Sequence, residues 1–162
     1  MSDTQRKIKW GIAGLGNIAN RFATSVTEHC LRGELYAVAA RDHKRAATFA
    51  NKFGCAKAYD SYEEMANDPA VEAVYIATVH PYHQPLAELF LKNNKHVLVE
   101  KPAFTNLADW LEMKALAKQN GVMLLEAMKT VVFPAYRELQ SFLVDNNIQI
   151  DSIEASFGNH HD

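Results

Sequence analysis

Cysteine is nearly absent: the 162 residues contain two, Cys30 and Cys55. Their spacing matches neither a metal knuckle nor a redox pair. That excludes a disulfide scaffold or zinc module, and each is expected to be a reduced, partly buried thiol. An excess of one charge is also missing, with 17 Lys and Arg against 19 Asp and Glu and a net of −2. No basic surplus exists to neutralise a phosphate backbone, so nucleic acid is excluded as the expected partner. No uncharged run approaches the ~20 residues that cross a bilayer, and Met1 to Trp10 is polar, unlike a secretory signal. The expectation is a cytoplasmic protein with no membrane partner. Only 5 Pro and 7 Gly occur, and no linker, repeat or low-complexity tract is visible. What remains is 48% hydrophobic, enough for a core that buries about two thirds of the unfolded surface.

The apolar residues fall into short runs separated by helical stripes. Ile8–Ala13, Leu35–Ala40, Ala73–Ala77, His96–Val99 and Val122–Leu125 read as five strands covered on both faces, the mark of a parallel sheet. Asp42 to Phe53 spaces Ala46, Phe49, Ala50 and Phe53 along one helix face, with Asp42 as cap and Gly54 as stop. Tyr82 to Asn93 is a helix marked by Pro81 and Pro85, burying Leu86, Leu89 and Phe90. Thr105 to Asn120 is another, capped by Thr105, ended by Gly121 and striped by Leu107, Trp110, Leu111 and Ala115. Alternating strands and helices predict right-handed βαβ units and a doubly wound α/β fold of the Rossmann type. Residues 1–128 are expected to form that domain. Residues 129–162 read as a helix, Val131 to Asn146, and an alternating strand, Ile148 to Phe157. Such a strand opens a second, antiparallel region that the chain stops short of. Lacking its sheet, the strand is expected to be disordered, folded back or paired with another copy.

Gly14-Leu15-Gly16-Asn17-Ile18-Ala19 follows the first strand and opens a helix carrying Ile18, Phe22 and Val26. Gly14 permits the tight turn, Gly16 lets backbone approach a pyrophosphate, and Ala19 lets helix and strand pack closely. The free N–H groups at the helix start, around Asn17 and Ile18, favour an anion. Such a turn binds dinucleotides, although glycines after a strand also serve as plain turns. At the end of the second strand stand Arg41, Asp42, Lys44 and Arg45. Lys44 and Arg45 oppose the helix dipole, a local rule broken beside a cofactor edge. Arg41 and Arg45 holding the 2′-phosphate of NADP is the preferred reading; Asp42 holding the ribose of NAD is the alternative.

Glu100-Lys101-Pro102 ends the run His96 to Val99. Strand carboxyl ends face the ligand crevice in a wound sheet, which puts these residues beside the cofactor. Lys101 suits polarising a substrate carbonyl or relaying a proton; its alternative is an exposed ion pair. The bond to Pro102 is expected to be trans.

These motifs resemble the Gfo/Idh/MocA oxidoreductase family. The resemblance rests on the turn at 14–19, Ala77-Thr78 followed by His83, Lys95-His96-Val97-Leu98-Val99 with Glu100-Lys101-Pro102, Leu125-Glu126-Ala127-Met128, and Phe133-Pro134. It covers roughly residues 7–157. Ala39-Ala40-Arg41-Asp42 with Arg45-Ala46, and Tyr62-Glu63-Glu64, are most similar to its dihydrodiol and xylose dehydrogenase branch. The resemblance implies a nicotinamide-dependent oxidoreductase acting on sugars, polyols or diols. It implies Lys101 near nicotinamide and substrate, Ala77, Thr78 and His80 lining the cofactor, and a homo-oligomer at full length. Val79-His80 replaces the family's Pro-Asn, and Val131-Val132 stands where many members carry Arg. Relatives of this kind are about twice as long, so the chain alone is expected to bind cofactor and turn over poorly.

His83 is a candidate contact to substrate or nicotinamide, with a helix-start hydrogen bonder as its equal alternative. His160 and His161 read as a solvated tail and not as a metal pair, so no metal is expected. Two other functions compete with the dehydrogenase: a dinucleotide-binding module without turnover, and a lyase or glycosidase that recycles NAD.

Overall fold

The structure, a computed structural model, describes residues 6–154. The apolar runs pair into one parallel sheet because consecutive strands are joined by helices too long for a hairpin. Its strands are β1 (Ile8–Ala13), β2 (Gly33–Ala39), β3 (Lys57–Tyr59), β4 (Ala73–Ile76), β5 (His96–Val99) and β6 (Leu124–Glu126). Their order is β3-β2-β1-β4-β5-β6. The connecting helices are α1 (Asn17–His29), α2 (His43–Phe53), α3 (Tyr62–Asn67), α4 (His83–Lys92) and α5 (Leu107–Gln119).

Alternate residues of each central strand enter opposite cores. Ile12, Val38 and Tyr75 pack with Ala19, Ala23 and Phe49 of α1 and α2. Ala13, Val74, Ile76, Val97 and Val99 pack with Met65, Leu86, Phe90 and Met113 of α3, α4 and α5. Full burial of one such large side chain is worth about 1.5–3 kcal/mol. The chain winds outward from β1 to β3 and then crosses back to place β4 on the other side of β1. That switch point leaves a crevice at the strand carboxyl ends.

Several sequence expectations are corrected. β3 and α3 lie in a stretch assigned to neither, since three residues and six are too few to show a period. The last run is β6, an edge strand whose Leu125 is half exposed, not a doubly covered one. On α5 the buried residues are Met113 and Ala117, while Leu107 and Leu111 are exposed, and the cap is Asn106 instead of Thr105. Ile18 lies on the outer side of α1. Cys30 is exposed and Cys55 half-buried, its thiol pushed up to about 11 by burial.

The chain divides into two compact units, one up to Ala127 and one from Met128. The second contains a short turn at Lys129–Val132 and α6 (Pro134–Asp145), entered through Pro134. Ile148 to Glu154 form no strand, because a β-ladder needs a neighbour and none pairs there among the described residues. The rest of that expected strand, with His160 and His161, lies outside the described residues.

Candidate functional site

The strand-to-helix turn after β1 is built on glycine for steric reasons. Gly14 has φ +89°, and a Cβ there would sit 2.7 Å from Thr78 Cγ2 and 3.0 Å from the Ala77 carbonyl. Its N–H donates to Ala39 O at 3.1 Å, which locks the turn to β2. A Cβ on Gly16 would meet no protein atom within 4 Å, so the space beside this backbone is open. Gly16 is the N-cap of α1, offers no capping side chain, and no acidic residue occupies the first turn. The exposed N–H groups and the positive end of the helix therefore face outward.

This turn forms one wall of a cleft of about 430 Å³, a size typical of small-molecule sites. Gly14, Gly16, Arg41, Asp42, Arg45, Ala77 and Thr78 line it, all of them sequence candidates. Thr78 Oγ1 is buried and has no hydrogen-bond partner among the described residues. Arg41 and Arg45 form no ion pair among the described residues. Arg41 donates to Tyr82 Oη at 3.4 Å and Arg45 to Leu15 O at 3.4 Å. Asp42 is committed to α2: its Oδ1 accepts from the N–H of Lys44 at 2.9 Å and of Arg45 at 3.3 Å. Only its second oxygen is left for a ribose hydroxyl.

Asn17, Ile18, His80, Glu100 and Lys101 do not line this cleft. Glu100 and Lys101 lie at the end of β5, the neighbouring strand of β4. The Lys101–Pro102 bond is cis, not trans as expected. Four side chains hold this turn. Tyr75 donates its hydroxyl to Glu100, whose other oxygen accepts the Lys101 N–H at 3.2 Å. Burial, with the bond to Glu100, raises the Tyr75 pKa and keeps it a donor. Glu126 Oε1 accepts the Ala103 N–H at 2.8 Å. Buried His83 faces the carbonyl oxygens of Pro102 at 3.0 Å and Ala103 at 3.2 Å through Nδ1, and Thr78 O at 3.1 Å through Nε2. His83 is 1% exposed and turns both ring nitrogens toward backbone carbonyls at the start of α4, the surroundings of a helix-start hydrogen bonder, its N–H donating to one of them. Lys101 itself is exposed. His80 is exposed and packs edge-on against the His83 ring.

The sequence profile of the Gfo/Idh/MocA oxidoreductase family, NAD-binding Rossmann fold, matches residues 8–128. The chain belongs to this family. It is 46% identical over 157 residues to the trans-1,2-dihydrobenzene-1,2-diol dehydrogenase of Mus musculus, covering 93% of this chain and 46% of that protein. The Homo sapiens protein of the same name is 43% identical over 154 residues, with the same coverage. The chain thus spans about half the length of the curated relatives it matches. Among solved structures, the 3-ketoreductase KijD10 of Actinomadura kijaniata, in complex with TDP-benzene and NADP, aligns with TM-score 0.80 and 27% identity, over 88% of this chain and 45% of that one. A scyllo-inositol dehydrogenase from Lactobacillus casei shares the fold, with TM-score 0.78 and 22% identity over 88% of this chain and 42% of that one.

The cleft fits the dinucleotide that this family's fold binds: an open backbone at Gly16 and, among the described residues, an unpartnered hydroxyl at Thr78 and two guanidiniums without ion pairs. Sequence reasoning missed Tyr62 and Tyr82, which also line the cleft. Tyr62 belongs to the unassigned α3. Tyr82 is expected at a helix start; it ends the short turn His80–Tyr82 between β4 and α4 and borders the crevice from there.

Proposed function

We propose that this chain is the nucleotide-binding part of an NADP-dependent dehydrogenase or reductase acting on CH–OH groups of diols, polyols or sugars. The observation that carries the reading is the pairing of Arg41 and Arg45, without acidic partners among the described residues, on the same cleft as the Gly14–Gly16 turn. Names of relatives that act on a diol support the substrate class, and KijD10 with NADP supports the cofactor.

The dinucleotide, when bound, supplies a hydride donor or acceptor at its nicotinamide. The start of α1 holds the pyrophosphate with backbone N–H groups. Arg41 and Arg45 hold the 2′-phosphate, a bidentate task suited to guanidinium. The Lys101 ammonium, at the rim next to β4, takes the substrate oxygen and holds or releases a proton at Nζ. Tyr75, Glu126 and His83 keep that rim in place. Two free thiols suit the reducing cytoplasm, and homo-oligomerisation belongs to the whole protein.

Calorimetry with millimolar NADP and NAD tests this. NADP should bind more tightly, and Arg41→Ala should weaken NADP tenfold or more, at about 1.5–3 kcal/mol per charged hydrogen bond, with little effect on NAD. Tighter NAD binding, or unchanged NADP affinity in Arg41→Ala, overturns the assignment.

A further inference from the structure

Two tyrosines at the mouth of the cleft have no part in the scheme above. Tyr82 follows β4, and the Arg41 guanidinium carbon lies 5.3 Å from the centre of its ring. The same guanidinium donates to the Tyr82 hydroxyl at 3.4 Å. Arg41 projects from the loop after β2, so this contact joins the two walls of the cleft. A long, exposed side chain loses rotamer freedom when it binds an anion, and a partner that restrains it beforehand lowers that cost. Tyr62, from α3, lines the cleft beside both guanidiniums. Its phenol is raised by burial, and the charges of Arg41 and Arg45 offset part of the rise. The hydroxyl therefore stays protonated near neutrality, on the same cleft as the two guanidiniums and with a proton to donate.

We propose that Tyr82 and Tyr62 set the preference of this cleft for a ribose 2′-phosphate. Tyr82 is a positioning residue that backs and aims the Arg41 guanidinium, and Tyr62 adds a neutral O–H donor to the same phosphate. The ring of Tyr82 supplies most of its effect, because the attraction of guanidinium to an aromatic face needs no hydroxyl. The proposal rests on the cleft being a dinucleotide site.

The test measures binding of 2′,5′-ADP and 5′-AMP to the full chain, since these differ only in the 2′-phosphate. Thermal melts of each variant are recorded alongside. Tyr82→Leu should weaken 2′,5′-ADP about fivefold, the scale of a half-exposed cation–π contact, and change 5′-AMP less than twofold. Tyr82→Phe should retain most of the wild-type ratio. Tyr62→Phe should cost about tenfold for 2′,5′-ADP only, as expected for a hydrogen bond to a charged group. Parallel losses for both nucleotides would make the tyrosines a platform for the adenine and overturn the proposal; unchanged ratios in all variants would overturn it as well. If the wild-type chain itself fails to distinguish the two nucleotides, the NADP reading falls first. Discrimination by the wild type that survives both substitutions sinks this inference alone.

Discussion

Gly14 and Gly16 stand two positions apart and do different work. At Gly14 the backbone is in the left-handed region and a Cβ would strike Thr78 and the Ala77 carbonyl. Gly14→Ala should therefore destabilise the fold by about 1–3 kcal/mol and weaken nucleotide binding through the distorted turn. At Gly16 the added methyl would meet no protein atom and would stand in open space beside the α1 terminus. Gly16→Ala should leave the melting temperature nearly unchanged and still reduce nucleotide affinity. Melting curves paired with calorimetry on both variants check the contrast; equal melting losses would show that Gly16 is structural too. The sequence pattern gives Gly14 the tight turn and Gly16 the close approach, and the contacts supply a separate steric reason for each.

Helix α5 shows how an element can be located correctly and oriented wrongly. Its limits follow from Asn106, which caps the Asp109 N–H at 2.8 Å, and from Gly121 at φ +66° just beyond the end. Its apolar residues run almost all round, so periodicity does not single out a face. The sheet and α4 choose Met113 and Ala117, and leave Leu107 and Leu111 outside. Met113→Ala should cost about 2–5 kcal/mol through the cavity it leaves, and Leu111→Ala only a few tenths. Denaturant unfolding of the two variants decides between this face and the Leu107–Leu111 stripe. In α2, by contrast, the capping Asp42, the buried Ala46, Phe49 and Ala50 and the left-handed Gly54 were all legible, because the cap, stripe and stop agree with one another.

Across the first unit, Asp68 links elements far apart in the chain. Tyr59 of β3 donates to Asp68 Oδ2 at 2.7 Å, the Ala70 N–H donates to Oδ1 at 2.8 Å, and buried Lys95 donates to the Asp68 carbonyl at 2.6 Å. Burial alone would raise this carboxyl. The Ala70 N–H, the hydroxyls of Tyr59 and Tyr36 and the Lys95 charge outweigh it and hold the pKa below its ordinary 3.8. A depressed carboxyl stabilises the fold fully above 3.8 and loses that contribution as the pH falls through the lower folded value. Urea midpoints should therefore drop at acid pH in the wild type. Asp68→Asn should lower the midpoint at neutral pH and flatten the acid limb; an unchanged acid limb would rule Asp68 out as its source.

Local sequence was enough to determine the wound α/β fold, the Gly14–Gly16 turn and the basic loop Arg41–Arg45, because strand runs, caps and turn glycines are enforced by backbone sterics within a few residues. It was also enough to place Lys101 at a strand end. Tertiary structure alone decided that His83 is buried against three backbone carbonyls, that α5 turns Met113 inward, and that Tyr82 meets Arg41 at a cleft that Tyr62 also lines. Those outcomes depend on which distant groups arrive at the same place, and residue spacing carries no information about pairs brought together by the order of strands in the sheet.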